Sequence, residues 1–152
     1  MPELADPIER FQELFARAAD NAPFDPVAVT LATATPDGRP SARIVLLRRV
    51  DARGFGFFTN FQSQKGRELL ANPHAAICAY WPWLDEQARI EGRVTMVDAE
   101  YAGRDIPRPP HWGGFRLTPE RIEFWRAGTY RLHDRVVYIR DGDGWRIDVL
   151  YP

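Results

Sequence analysis

The chain has 152 residues, 45% hydrophobic and 27% charged, an ordinary globular composition at the length of one domain. Twenty basic residues against 21 acidic give a net charge of -1, which argues against a protein that coats nucleic acid or anionic lipid. A single cysteine, Cys78, excludes an internal disulfide framework and a cysteine-built zinc site, and no apolar run approaches the roughly 18 residues of a membrane span.

The first residues lack the positive region and apolar core of a signal peptide, so the expected setting is cytoplasmic. Residues 6–20 place Ile8, Phe11, Leu14, Phe15 and Ala18 at helical spacing, with Asp6 as N-cap and Pro7 in the first turn. From Val27 the period drops to two. Val27, Val29, Leu31 and Thr33 alternate with small residues, which predicts a strand packed on both faces. Pro36-Asp37-Gly38 turns the chain into a second strand, 41–50, and Asp51-Ala52-Arg53-Gly54 into a third, 55–59. Two successive hairpins predict an antiparallel meander. Ser63 then caps a short helix that Asn72-Pro73 stops.

Residues 74–81 and 87–97 read as strands around the Pro82-Trp83-Leu84-Asp85 turn, the second with one face in and one wet. Cys78, in the apolar run 75–81, is expected to be a buried thiol. Residues 98–113 are the least regular stretch, followed by strands at 114–117, 121–125, 135–140 and 145–150. About eight short strands and two helices predict a small, mainly antiparallel barrel in one domain, with 1–25 as helix and lead-in.

There is no phosphate loop, no dinucleotide glycine fingerprint and no nucleophile elbow, and the three histidines do not have the spacing of a helical metal pair. Three polar clusters remain. Arg43 stands in the otherwise apolar strand 42–47, where a charge must find an anion or reach solvent. Thr59 to Lys65 runs from a strand end into a helix start, bringing two hydroxyls and the only lysine among nineteen arginines, which suits a phosphate as well as an ordinary cap. Trp125, Arg131, His133 and Arg135 gather near a turn and suit a planar anion, the alternative being a core tryptophan beside surface ion pairs.

Specific blocks carry a resemblance. They are Ser41-Ala42-Arg43-Ile44-Val45-Leu46-Leu47, Gly54-Phe55-Gly56-Phe57-Phe58-Thr59-Asn60 and Lys65-Gly66-Arg67-Glu68-Leu69. Further on come Gln87-Ala88-Arg89-Ile90-Glu91-Gly92-Arg93-Val94 and Pro107-Arg108-Pro109-Pro110-His111-Trp112-Gly113-Gly114. The closing blocks are Arg121-Ile122-Glu123-Phe124-Trp125 and Arg131-Leu132-His133-Asp134-Arg135. Together they resemble the pyridoxamine 5'-phosphate oxidase family, FMN-dependent enzymes that complete vitamin B6 synthesis and salvage.

The resemblance implies an FMN-binding split β-barrel and a homodimer with two FMN sites at the subunit interface. It implies that Arg43 and Lys65 hold the FMN phosphate, with Ser63 and Gln64 at the helix start beside them. Arg43, Ile44, Val45, Leu46, Leu47 and Arg48 would run along the flavin, and Phe58 and Thr59 would touch it. Gln87, Trp125 and Arg135 would approach from the other subunit, while Arg48, Arg131, Leu132 and His133 would hold the substrate. No metal is implied and no residue is assigned to proton transfer. An apolar interface is expected to draw on Trp81, Trp83, Trp112 and Trp125.

The chain departs from the family pattern at Arg48, where a lysine is usual, at Phe58 for tyrosine, and at Gln64 for arginine. The largest departure lies between residues 100 and 106, where the family carries a few dozen more residues that reach the substrate phosphate and FMN. The implied activity is oxidation of pyridoxamine or pyridoxine 5'-phosphate to pyridoxal 5'-phosphate, with oxygen as acceptor and hydrogen peroxide as product. Two alternatives remain. One is a related flavin enzyme acting on a phenazine precursor or of the deazaflavin type, and the other a non-catalytic module binding flavin, haem or pyridoxal phosphate.

Overall fold

The computed structural model describes residues 6–97 and 112–150. Helix α1 (Pro7–Ala19) starts at Asp6, whose side chain accepts the Ile8 backbone N–H at 2.9 Å, and Pro7 sits where no N–H is needed. Its apolar stripe is buried, with the Phe11 ring meeting Phe55 edge-on at 4.9 Å and Trp81 at 5.8 Å.

Strands β1 (Ala28–Ala34), β2 (Pro40–Asp51) and β3 (Gly54–Asn60) form the meander expected from the turn residues. Helix α2 (Gln64–Ala71) and strands β4 (His74–Trp81), β5 (Glu86–Met96), β6 (Trp112–Arg126), β7 (Asp134–Asp141) and β8 (Gly144–Leu150) follow. The sheet order is β3-β2-β1-β4-β5-β6-β7-β8, all antiparallel, and β3 also pairs with β6. That extra pairing closes six strands into a barrel and leaves β7–β8 as a hairpin continuing from β6. Closure gives β3 partners on both sides, which an open sheet would not.

The barrel interior is apolar, with Leu31, Phe55, Ile77, Ile90, Leu117 and Ile122 all fully buried. Among the described residues, no helix is long and apolar enough to cross a membrane.

Several expectations are corrected. Residues 114–117 and 121–125 are one strand, not two, and Trp112 and Gly113 belong to it. The register explains the apparent break: Glu91 faces Arg121 whereas Gly92 faces Pro119, so Glu120 is an extra residue on β6. Such a bulge tolerates a proline that a regular ladder would reject. Gly92 is required opposite it, because a Cβ there would run into the Thr118 carbonyl.

Trp81 is core and donates its Nε1–H to the Pro26 carbonyl, while Trp83 donates to Ala18 at 3.0 Å. Trp81 is therefore used within the chain and not on an interface, while Trp83 is partly buried. Cys78 is only half-buried, and that burial pushes its thiol pKa up, so the thiolate is disfavoured.

The expected short irregular connection, apart from its last two residues, lies outside the described residues. The strands flanking it are bonded side by side, with Val97 donating to Gly114 at 2.9 Å. A connection between adjacent hairpin strands is where length changes disturb a barrel least.

Candidate active site

Two polar clusters form on opposite sides of the sheet. The first surrounds Arg43, whose inward parity on β2 places it beside Leu31 in register. Its guanidinium donates to Thr33 Oγ1 at 2.6 Å, Ser41 Oγ at 2.7 Å and the Leu31 carbonyl at 3.3 Å. Glu68 of α2 lies 3.5 Å from it and accepts from Thr33 and Ser41, each at 2.9 Å. Burial alone would raise the Glu68 pKa, but these hydrogen bonds and the Arg43 charge outweigh it and hold the carboxyl below its ordinary range.

Lys65 stands on the same helix, half-buried, and no ion-pair partner is recorded for it among the described residues. Desolvation, and then the charge of Arg43, push its pKa down. Two cations crowded near a helix start, with the carboxylate of Glu68 engaged by Arg43, leave a charge that an incoming anion would neutralise.

The local backbone explains this placement. Ser63 accepts the Gly66 N–H at 3.2 Å and donates to the Asn60 carbonyl at 2.6 Å, so its hydroxyl serves as the helix cap. Gly66 is demanded by contact, since a Cβ would strike the Asn60 carbonyl. Gln64 is exposed and reaches Ser41 at 3.4 Å. Thr59 is fully buried, and its hydroxyl has no partner among the described residues. Phe58 beside it is half-buried. A buried hydroxyl without a partner among the described residues and a lysine without a carboxylate, beside a helix start, suit a phosphate-bearing cofactor.

Along β2 the expected flavin stretch splits by parity. Val45 and Leu47 are core, whereas Ile44 and Leu46 are exposed at 62% and 39%. Only their outward side chains and the backbone can therefore face a ligand. Arg48 is exposed at a bulge between Leu47 and Arg49 and opens on a cleft of about 250 Å³ between α1 and β2, apart from the Arg43 cluster.

The second cluster is a cross-strand row. Gln87 on β5 pairs with Trp125 on β6, which pairs with Arg135 on β7, so the three share one face. Arg135 grips Glu123 with Nη2 at 3.1 Å and Nε at 3.3 Å, while Arg121 reaches the same carboxylate at 3.1 Å and Arg89 at 3.7 Å. Burial would raise the Glu123 pKa, but the Arg135 hydrogen bond and charge, helped by Arg121 and Arg89, hold it below the ordinary range.

The chain beyond β6 bends through a 3-10 turn, Thr129–Arg131. His133 returns to set its ring 4.9 Å from that of Trp125. Leu132 is exposed, and only the backbone of Arg131 is described. Glu86, accepting from Arg17 at 2.7 Å and Arg126 at 3.2 Å, fixes the base of this turn.

Glu68 and Glu86 were not anticipated, and Glu123, which opens the third polar cluster, had no role assigned to it. Glu68 alone carried a legible signal, being on the α2 face of Leu69 and so an acid on an apolar side.

Arg43 points to the inner face of the sheet and the Gln87 row to the outer, with β1 and β4 between, roughly 14 Å away at ordinary strand spacing. Within one chain the two polar clusters therefore do not meet.

The model of the family described as pyridoxamine 5'-phosphate oxidase matches residues 16–126, and its C-terminal dimerisation region matches 112–152. The chain belongs to the pyridoxamine 5'-phosphate oxidase family. A pyridoxine/pyridoxamine 5'-phosphate oxidase of Myxococcus xanthus is 48% identical, covering 97% of this chain and 92% of that one. Its counterpart in Anaeromyxobacter dehalogenans is 44% identical, covering 97% and 96%. Relatives so named make this an oxidoreductase family.

Both alignments run over 189 positions against the 152 residues of this chain, so the relatives carry internal residues that it lacks. Among solved structures, PhzG from Burkholderia lata in complex with tetrahydrophenazine-1-carboxylic acid superposes with a TM-score of 0.91. It is 31% identical and covers 99% of this chain and 95% of that one. An FMN-binding protein of Nostoc punctiforme, 21% identical, covers 99% and 100% at a TM-score of 0.78 and shares the fold. The split barrel expected from the sequence is thus the fold observed.

Proposed function

We propose that this family member binds FMN and oxidises pyridoxamine or pyridoxine 5'-phosphate to pyridoxal 5'-phosphate, with oxygen as acceptor and hydrogen peroxide as product. The observation that carries the FMN part is Lys65, a half-buried cation crowded by Arg43 at a capped helix start, with no recorded carboxylate partner. In this reading Arg43 and Lys65 hold the cofactor phosphate and Thr59 bonds the cofactor. The β2 backbone with Ile44 and Leu46 lies along the ring. When bound, FMN supplies the two-electron redox chemistry. Gln87, Trp125 and Arg135 close over it, and Arg131, Leu132 and His133 hold the substrate against it.

Because the two polar clusters of one chain do not meet, the working unit is a homodimer in which each copy completes the other's site. The matched dimerisation region supports this, as do the exposed Ile147 and Val149 of β8. Light scattering of the FMN-loaded protein should give twice the chain mass at micromolar concentration. A monomer with FMN still bound would refute the shared site.

A second reading is an oxidase of a reduced phenazine precursor. It is favoured by the superposition, at a TM-score of 0.91, on PhzG in complex with tetrahydrophenazine-1-carboxylic acid. FMN-loaded protein offered each substrate in air separates the two. Peroxide with pyridoxal 5'-phosphate is the expected result. Turnover of tetrahydrophenazine-1-carboxylic acid alone transfers the function to the second reading, and flavin binding without turnover of either defeats both.

A further inference from the structure

We infer that His133 is held as the neutral tautomer with its proton on Nε2, so that it meets the substrate as a hydrogen-bond donor and not as a base. The substrate contact rests on the function proposed above; the tautomer does not. The Gly128 backbone N–H points at His133 Nδ1 at 3.1 Å. A backbone N–H can only donate, so Nδ1 must present its lone pair and the ring proton must sit on Nε2.

The turn enforces this contact. A Cβ on Gly128 would run into the Leu132 carbonyl oxygen, so only glycine lets the amide approach the ring. Ala127 donates to Asp85 at 2.9 Å and Leu132 to Thr129 at 3.1 Å, and Tyr130 takes a left-handed φ of 58°. The Trp125 ring, 4.9 Å away, limits tilting of the imidazole. The basic nitrogen is thus occupied from within the chain, and Nε2–H is the polar atom left to a ligand. It selects an acceptor oxygen or nitrogen on the substrate, and the proton released during oxidation leaves by another group.

Nitrogen-15 NMR of histidine-labelled, FMN-loaded protein at about pH 8 reads the tautomer directly, the His133→Asn spectrum assigning the signals. We expect a protonated Nε2 and an unprotonated Nδ1. A protonated Nδ1, alone or in an imidazolium, overturns the inference whatever the activity. Titration with pyridoxine 5'-phosphate reads the contact. In His133→Gln the side-chain amide nitrogen takes the place of Nε2, so affinity should stay within about threefold, whereas His133→Asn should lose about tenfold or more. Equal affinities in the two variants refute the donor role. Failure of the parent protein to bind the compound refutes the proposed function and leaves the NMR result standing.

Discussion

Glu123→Ala is expected to lower the unfolding free energy by about 3 kcal/mol, the scale of leaving charges partly buried without their partner. Glu123 is 3% exposed and faces Arg135, Arg121 and Arg89, which are themselves only 30–42% exposed. Removing the carboxylate leaves three guanidinium groups clustered on one face of β5, β6 and β7, with Glu91, 3.4 Å from Arg89 and 3.9 Å from Arg121, still facing two of them. Glu123→Gln keeps the shape and one acceptor and should lose less.

The same carboxylate gives an acid limb. Its pKa is lowered on folding, so its contribution is full above the unfolded value of about 4.3 and is lost as the pH falls through the lower folded value. Glu68 and Glu86 shift in the same direction and add to that limb. Urea unfolding of parent and variants between about pH 3 and 7 checks both statements. A loss under about 1 kcal/mol at neutral pH, the range of exposed pairs, would show that Glu123 is not the centre of this network.

Lys65→Ala should weaken FMN binding by about 1–3 kcal/mol, roughly 5- to 150-fold, the scale of a charge-assisted hydrogen bond. Riboflavin, which lacks the phosphate, should bind both proteins almost equally. The protein itself should not be destabilised. Lys65 is penalised by burial and by Arg43, so its removal relieves a like-charge contact. Fluorescence titration with the two flavins, alongside thermal unfolding, makes the comparison. Equal losses for FMN and riboflavin would remove Lys65 from the phosphate site, and a marked fall in thermal stability would make it a structural residue.

Much of this protein was legible in its residues. Asp6-Pro7 and Ser63 marked the helix starts, because capping depends on a few neighbouring atoms. Period-two alternation and the glycine turns gave the meander, and the blocks around Arg43, Lys65 and Arg131 to Arg135 pointed to the family. Tertiary structure alone decided the rest. Closure of β3 onto β6 joins residues some sixty positions apart, and no local pattern encodes that pairing. The bulge at Glu120 made one strand look like two, since a proline reads as a break until its partner Gly92 is seen. Trp81 looked like interface and became core because α1 folds back over it. Glu123 and Arg135 sit twelve residues apart, yet antiparallel pairing of β6 and β7 sets them against each other. The tautomer of His133 depends on one amide five residues away, which only the geometry of the Gly128 turn could bring to it.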